Sequence, residues 1–167
     1  MEHLKICMLT SEDEIKRNAE IAKAIWNEYF SSILSKEQIE YMVEMFQSER
    51  AMKEQMKKKG YQYYGMFLGE VQIGYFAIQN GEESMFLSKL YLKKEYRKKG
   101  YSSVAFEYMI NMCREKGLRK IWLTVNRHND GSIAVYKKKG FVIVREEAAD
   151  IGKGFVMDDY IMEKNIE

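Results

Sequence analysis

Six consecutive residues, Arg97-Lys98-Lys99-Gly100-Tyr101-Ser102, carry the clearest chemical signal in the chain. Val104, Ala105, Tyr108, Met109, Met112 and Cys113 recur at helical spacing just beyond them, so a helix opens near Gly100–Ser103. The start of a helix presents unpaired backbone N–H groups and the positive end of the helix dipole, which together attract anions. Lys93, Lys94, Arg97, Lys98 and Lys99 crowd that start, opposed only by Glu95. The expected ligand is a polyphosphate. No GxGxxG is present, which argues against a dinucleotide fold, and no GxxxxGK[ST], which argues against a P-loop ATPase. The competing reading of the same residues is a solvated basic turn ahead of an ordinary helix.

The elements that must position this loop are legible on both sides of it. Met85–Leu92 reads as a strand, with Phe86 and Leu90 on one side and Leu87 and Tyr91 on the other. Apolar residues on both alternating sets suit a central strand covered on both faces. Downstream, Asn129-Asp130-Gly131-Ser132-Ile133-Ala134-Val135-Tyr136 runs into Lys137-Lys138-Lys139-Gly140-Phe141. Asn129 is a helix cap there and Gly140 a helix stop.

Arg97–Ser102 resembles the [QR]-x-x-G-x-[GA] acyl-coenzyme A loop of the GCN5-related N-acetyltransferase (GNAT) family. Ser102 stands where that family usually carries Gly or Ala, and serine is small enough for the backbone to approach a phosphate. The segment from Asn129 to Phe141 is similar to the family's N-x-x-[AS]-I-x-x-Y-x-x-x-G-F, in the right order and about one strand and one helix further on. The resemblance covers about residues 60–165 well and the N-terminal helices more loosely. It implies an α/β (α+β) fold with a mixed, mostly antiparallel sheet of about six to seven strands. A central parallel pair and helices on both faces complete that expectation.

Composition fits. The chain has 167 residues, 46% of them hydrophobic and 13% aromatic, which reads as a single domain over 1–167 with a substantial core. The net charge of +2 is too mild to demand nucleic acid. Two cysteines, Cys7 and Cys113, lie far apart, and Cys113 falls on the apolar stripe of its helix as a free thiol. Two histidines, His3 and His128, are too few for a metal cluster, and no Ser-His-Asp triad is expected. No hydrophobic run approaches transmembrane length and no signal peptide is evident, so a cytoplasmic protein without membrane partners is expected.

In chain order, His3–Leu9 reads as a first strand and Ser11-Glu12-Asp13-Glu14 as a capping box. Ile15, Ala19, Ala22, Trp26, Tyr29, Phe30 and Ile33 mark one face of a long helix. Ser35-Lys36-Glu37-Gln38 opens a second helix, with Ile39, Met42, Val43 and Phe46 inward. Gln47–Lys59 continues as a third, stopped by Gly60. Tyr61–Leu68 and Glu70–Gln79 form a strand pair around Gly69, and Asn80-Gly81 signals a second hairpin turn. Arg119–Val125 is a buried strand, reached from 86–92 through a helix and therefore its parallel neighbour. Phe141–Glu147 and Phe155–Met162 are the last two strands. Asp150–Asp159 is a glycine-hinged acidic passage between loop and strand, either a simple turn or a segment approaching substrate.

What the resemblance implies about the site follows. Acetyl-CoA is the co-substrate. The N–H groups of Lys98, Lys99, Gly100, Tyr101 and Ser102, with Ser103 in the first helical turn, suit the pyrophosphate, and neighbouring Lys and Arg side chains the 3′-phosphate. Exposed main chain of Leu90, Tyr91 and Leu92 pairs with the pantetheine amides as a peptide pairs with a sheet edge. A backbone N–H near Tyr91 or Leu92 polarises the thioester carbonyl. Tyr136 protonates the departing thiolate, and Asn129 holds the pantetheine or simply caps its helix. Glu83, with Glu82 and Ser88 beside it, is a candidate base or water contact, although a charged hairpin residue is more often just exposed. Trp26, Tyr29, Phe30 and Tyr41 line an acceptor pocket or merely fill the core, and Asp150, Asp158 and Asp159 lean toward a cationic acceptor. The reaction implied is direct attack of a small-molecule primary amine on the acetyl thioester in a ternary complex. Alternatives left open are a protein N-acetyltransferase or a binding-only acyl-CoA sensor on the same fold, and a homodimer. A nucleic-acid-binding module would need interleaved aromatics and stronger charge.

Overall fold

The computed structural model describes residues 3–167. Seven strands form one mixed sheet in the order β1-β2-β3-β4-β5-β7-β6, flanked by five α-helices. The strands are β1 (Leu4–Leu9), β2 (Gln62–Leu68), β3 (Val71–Asn80), β4 (Ser84–Leu92), β5 (Lys120–Asn126), β6 (Val142–Gly152) and β7 (Phe155–Asn165). The helices are α1 (Glu12–Tyr29), α2 (Lys36–Met42), α3 (Glu49–Lys59), α4 (Tyr101–Lys116) and α5 (Asp130–Lys138). The chain divides into two compact units: Met1–Gln79 with Lys89–Met109, and Asn80–Ser88 with Ile110–Glu167.

In the first unit, β1 and β2 pair antiparallel from Leu4↔Leu68 to Leu9↔Tyr63, and β2 and β3 close a hairpin at Leu68↔Val71. Ser11 caps α1 through the expected reciprocal box with Glu14. Ile15, Ala22, Ile25 and Trp26 then face inward, joining Leu9, Met52, Tyr63 and Tyr75 in the core. The helical passage after α1 departs from expectation. Instead of a third helix beginning at Gln47, Val43–Gln47 makes a π-turn and Ser48 caps α3, its side chain accepting from the Ala51 N–H. The Ser48 cap has the same meaning as Ser11 and Ser35, but it sits inside a run of residues that all favour helix.

In the second unit, β4 and β5 pair in parallel from Ser84↔Lys120 to Leu87↔Leu123, as the crossover requires. The turn before β4 is closed by the Gly81 N–H to the Ser84 carbonyl at 2.8 Å. β7 pairs with β5 from Lys120↔Asn165 to Asn126↔Asp159, and on its other side with β6. The passage expected over Asp150–Asp159 is ordered hairpin: β6 continues to Gly152 and β7 starts at Phe155. Lys153 and Gly154 turn the chain with positive φ of 52° and 78°. Glycines and acids resemble loop in sequence, whereas here the cross-strand ladder decides. The buried stripe of α4 is also rotated, with Tyr101, Ala105, Phe106, Met109 and Cys113 inward and Val104 and Tyr108 at the surface. Burial pushes the free Cys113 thiol up to about 11, which keeps it unreactive.

Candidate active site

The basic loop is built by main-chain geometry. After β4, the Lys93 N–H returns to the Ile73 carbonyl at 2.9 Å, and Lys94–Tyr96 makes one turn of 3₁₀ helix. Lys98 and Gly100 then take positive φ, 62° and 87°, which turns the chain sharply into α4. Only glycine adopts such angles without strain, so Lys98 holds a conformation that lysine disfavours. A Cβ added at Gly100 would meet nothing within 4 Å, which leaves the loop open to a ligand. The N–H groups of Tyr101, Ser102 and Ser103 belong to the first turn of the sixteen-residue α4, where helical backbone donors lack intrahelical partners.

Arg97 occupies a different place from a mobile phosphate ligand. Its Nε donates to the Leu92 carbonyl at 3.0 Å and its guanidinium forms two hydrogen bonds with Glu28. The same group lies 4.8 Å from the centre of the Tyr29 ring. Arg97 therefore braces the loop to α1 and to the end of β4, leaving Lys98 and Lys99 as the exposed cations beside the glycine.

Tyr91 joins the sequence-predicted cofactor residues to the predicted acceptor residues. Its ring lies 5.7 Å from Trp26, 6.2 Å from Phe30 and 5.6 Å from Tyr75. Trp26 and Phe30 are buried, while Tyr29 and Tyr41 are half-buried. Trp26, Phe30 and Tyr91 thus form an aromatic wall at the end of β4, with Tyr29 at its margin.

Sequence reasoning missed Gly74. A Cβ at this β3 position would fall well inside contact distance of the Tyr91 carbonyl oxygen and 3.1 Å from the Leu92 Cα. The backbone of β4 comes this close only because residue 74 has no side chain. A lone glycine inside a strand pattern was the available signal.

Lys89 was missed as well. It lies within a run read as apolar, yet its ammonium is buried and bonded to the Phe46 carbonyl, Gln55 Oε1 and the Tyr63 hydroxyl.

In the second unit, Asn129 caps α5 by accepting from the Ser132 N–H at 3.2 Å, and its own N–H reaches the Asn126 carbonyl at 2.9 Å. Tyr136 sits half-buried on the same helix with its ring 5.8 Å from Phe141. Glu83 is exposed in the turn before β4, and its carbonyl accepts from the Arg119 N–H at 2.7 Å. Asp158 is committed: its carboxylate lies 3.0 Å from Arg127 Nε. Asp159 is the more unusual residue. It is buried opposite Asn126 on β5 and Glu147 on β6, and its Oδ1 has no hydrogen-bond partner. Burial first, then the charges of Asp158 and Glu147, push its carboxyl up to about 6.

A parallel strand pair joined by a glycine-bearing turn and a helix, within a seven-strand mixed sheet, is the architecture that the two sequence motifs implied. The model described as the acetyltransferase (GNAT) family matches residues 19–141, and the chain belongs to that family. It is an acetyl-CoA-dependent acetyltransferase, with acetyl-CoA as co-substrate. Among solved structures it is similar to PaiA N-acetyltransferase from Thermoplasma acidophilum in complex with coenzyme A. That match has 24% identity and a TM-score of 0.81, covering 98% of this chain and 99% of that one. The ribosomal-protein-S18-alanine N-acetyltransferase from Escherichia coli matches at 17% identity and TM-score 0.71, covering 99% and 95%. A GNAT family acetyltransferase from Elizabethkingia anophelis with acetyl-CoA bound matches at 14% and 0.63, covering 99% of each chain. At these identities the likenesses concern the fold. Among the described residues no helix is long and apolar enough to cross a membrane.

Proposed function

We propose that this chain moves the acetyl group of acetyl-CoA onto a small cationic primary amine, by direct attack within a ternary complex. The observation that carries the choice of acceptor is Asp159, a buried carboxyl with an oxygen left unpartnered between Asp158 and Glu147. A carboxyl in that state gains a charge-assisted partner when an ammonium arrives. Asp158 supports the site through Arg127 rather than by meeting the acceptor.

The residues divide the work as follows. Backbone donors from Lys98 to Ser103 hold the pyrophosphate, with Lys98 and Lys99 adding charge. Main chain from Leu90 to Leu92 pairs with pantetheine, and a backbone N–H near Tyr91 or Leu92 polarises the carbonyl. Asn129 holds the pantetheine or its own helix turn. Once the amine has lost a proton, its lone pair forms the new C–N bond and the C–S bond breaks. Tyr136 gives its phenolic proton to the sulfur, and the proton shed by the acylated nitrogen restores the phenol, leaving neutral amide and thiol. Glu83 remains the proposed proton acceptor for the ammonium, reached through water given its exposure. The chain works as one domain in the cytoplasm.

A panel of diamines, polyamines, aminoglycosides and peptides with free N-termini, assayed with acetyl-CoA, tests the reading. Turnover of small polycations above all peptides is expected. The likeness to a ribosomal-protein N-acetyltransferase keeps peptide acceptors as the second reading, and preference for a peptide N-terminus would install it. Tight acetyl-CoA binding with no turnover across the panel would instead make the chain a sensor.

A further inference from the structure

Lys89 points to an additional part of the machinery. It lies on β4 two residues before Tyr91, and strand alternation puts the two side chains on the same face. Its Nζ meets three acceptors: the Phe46 carbonyl, Gln55 Oε1 and the Tyr63 hydroxyl. Tyr63 in turn donates to Gln55 Oε1, so its hydroxyl accepts from Lys89. Three acceptors match the three N–H bonds of an ammonium, whereas a neutral amine has only two to give. Phe46 belongs to the π-turn Val43–Gln47, where the helical ladder slips and leaves main-chain groups to be satisfied otherwise. The next residue, Gln47, accepts from the Tyr75 hydroxyl at 2.7 Å, and Tyr75 packs on Tyr91.

We propose that Lys89 is a positioning residue for acetyl transfer: its ammonium pins the π-turn to β4 and thereby fixes the aromatic wall against Tyr91. This rests on the reading of that wall as the acceptor side of the site. Burial pulls the ammonium down to about 7, while its three acceptors favour the charged form. The groups facing it from the packed elements are Tyr63 on β2, Gln55 on α3 and the Phe46 carbonyl. No carboxylate is among its described contacts. As pH rises through its pKa one N–H is lost and the pin loosens, so the wall should be best ordered on the acidic side of that pKa.

The test uses the full chain with spermidine as probe amine and a Trp122→Phe background, so that Trp26 alone reports on the wall. Trp26 emission should titrate near the Lys89 pKa. Tyr63→Phe, which removes one acceptor for the ammonium, should move that midpoint to lower pH, and Lys89→Arg, permanently charged, should abolish it. Lys89→Met should lower kcat/KM for spermidine by about tenfold or more, within the range seen when a reacting group is misplaced, with acetyl-CoA affinity within about twofold. Lys89→Met keeps an unbranched stem but leaves three acceptors without their donor, so its melting curve is recorded beside the kinetics, and the Lys89→Arg titration decides should the Met variant not fold. A flat Trp26 signal in the parent, or an unchanged midpoint in Lys89→Arg, overturns the pin whatever the acceptor proves to be. If the emission titrates as expected but spermidine is inert in the parent, the acceptor reading fails while the pin stands. Lys89→Met with full activity toward spermidine removes the positioning role.

Discussion

Arg97 and Glu28 lie 69 residues apart and meet through two hydrogen bonds, Nη1 to Oε2 at 3.1 Å and Nη2 to Oε1 at 2.6 Å. The pair ties α1 to the turn that leads into α4, so a residue from a distant part of the sequence helps set that turn's position. Both side chains are partly exposed, which limits what the pair adds to stability to about 1 kcal/mol. Glu28→Gln should therefore lower the melting temperature only slightly. Its larger effect should be on acetyl-CoA, with affinity falling a few-fold as Arg97 loses its fixed orientation. Calorimetric titration measures this, and an unchanged Kd would confine the pair to structure.

Gly100→Glu should abolish acetyl-CoA binding while the fold survives. The φ of 87° strains any side chain there by roughly 1–2 kcal/mol. The added carboxylate would sit where negative phosphate is expected. Retained affinity in a folded variant, read by the same titration, would remove the loop from the cofactor site.

At Gly74 the expected fault is displacement. Alanine would drive the Tyr91 carbonyl and Leu92 away from β3, an overpacking cost of about 1–3 kcal/mol. Denaturant unfolding should show the loss. Steady-state kinetics should show a raised KM for acetyl-CoA, because Leu90–Leu92 is the proposed pantetheine edge. A variant that loses stability but keeps its KM would separate the two.

Tyr136→Phe removes a hydroxyl and keeps the ring beside Phe141. General-acid catalysis contributes roughly 10²–10⁴-fold, and a thiolate leaves fairly well unaided, so kcat should fall by at least about tenfold. Acetyl-CoA affinity should hardly move. Full turnover in this variant would excuse the phenol from proton transfer.

Asp159→Asn should raise the KM for a cationic acceptor, whereas Asp158→Asn should act mainly by releasing Arg127. The pH dependence of stability gives a separate check. Asp159 has a folded value of about 6 against an ordinary 3.8. Between those values the native chain holds a proton that the unfolded chain has released, so stability falls as pH rises through that window. Asp159→Asn should flatten this slope, gaining on the parent at pH 7 relative to pH 4. Parallel melting curves for parent and variant across pH 4–7 would contradict the burial of that carboxyl.

Much of the fold was legible because its signals are local. Ser11 and Ser35 announce their helices, Gly60, Gly117 and Gly140 end theirs with positive φ, and Asn129 caps where expected. The parallel pairing of β4 and β5 followed from the helix between them. Loss of legibility begins where long-range partners decide. Gly152 and Gly154 look like loop, yet the ladder between β6 and β7 runs almost to the turn. Lys89 reads as a surface cation by type, and only the convergence of Phe46, Gln55 and Tyr63 makes it an interior one. Arg97 matched its motif position, but its commitment to Glu28 depends on a helix whose place no local pattern gives. Asp158 and Asp159 are neighbours of one type, and strand alternation alone sends one to Arg127 and the other inward.

The order β5-β7-β6 puts β7 between two strands that precede it in sequence. During synthesis, β5 and β6 emerge before the strand that joins them, and each shows a bare hydrogen-bonding edge until Phe155–Asn165 is free to slot in. Val142, Ile143 and Val144 are exposed even in the finished sheet. Until Phe155–Asn165 is in place, those strands therefore present unpaired β-structure of the kind that pairs with other chains.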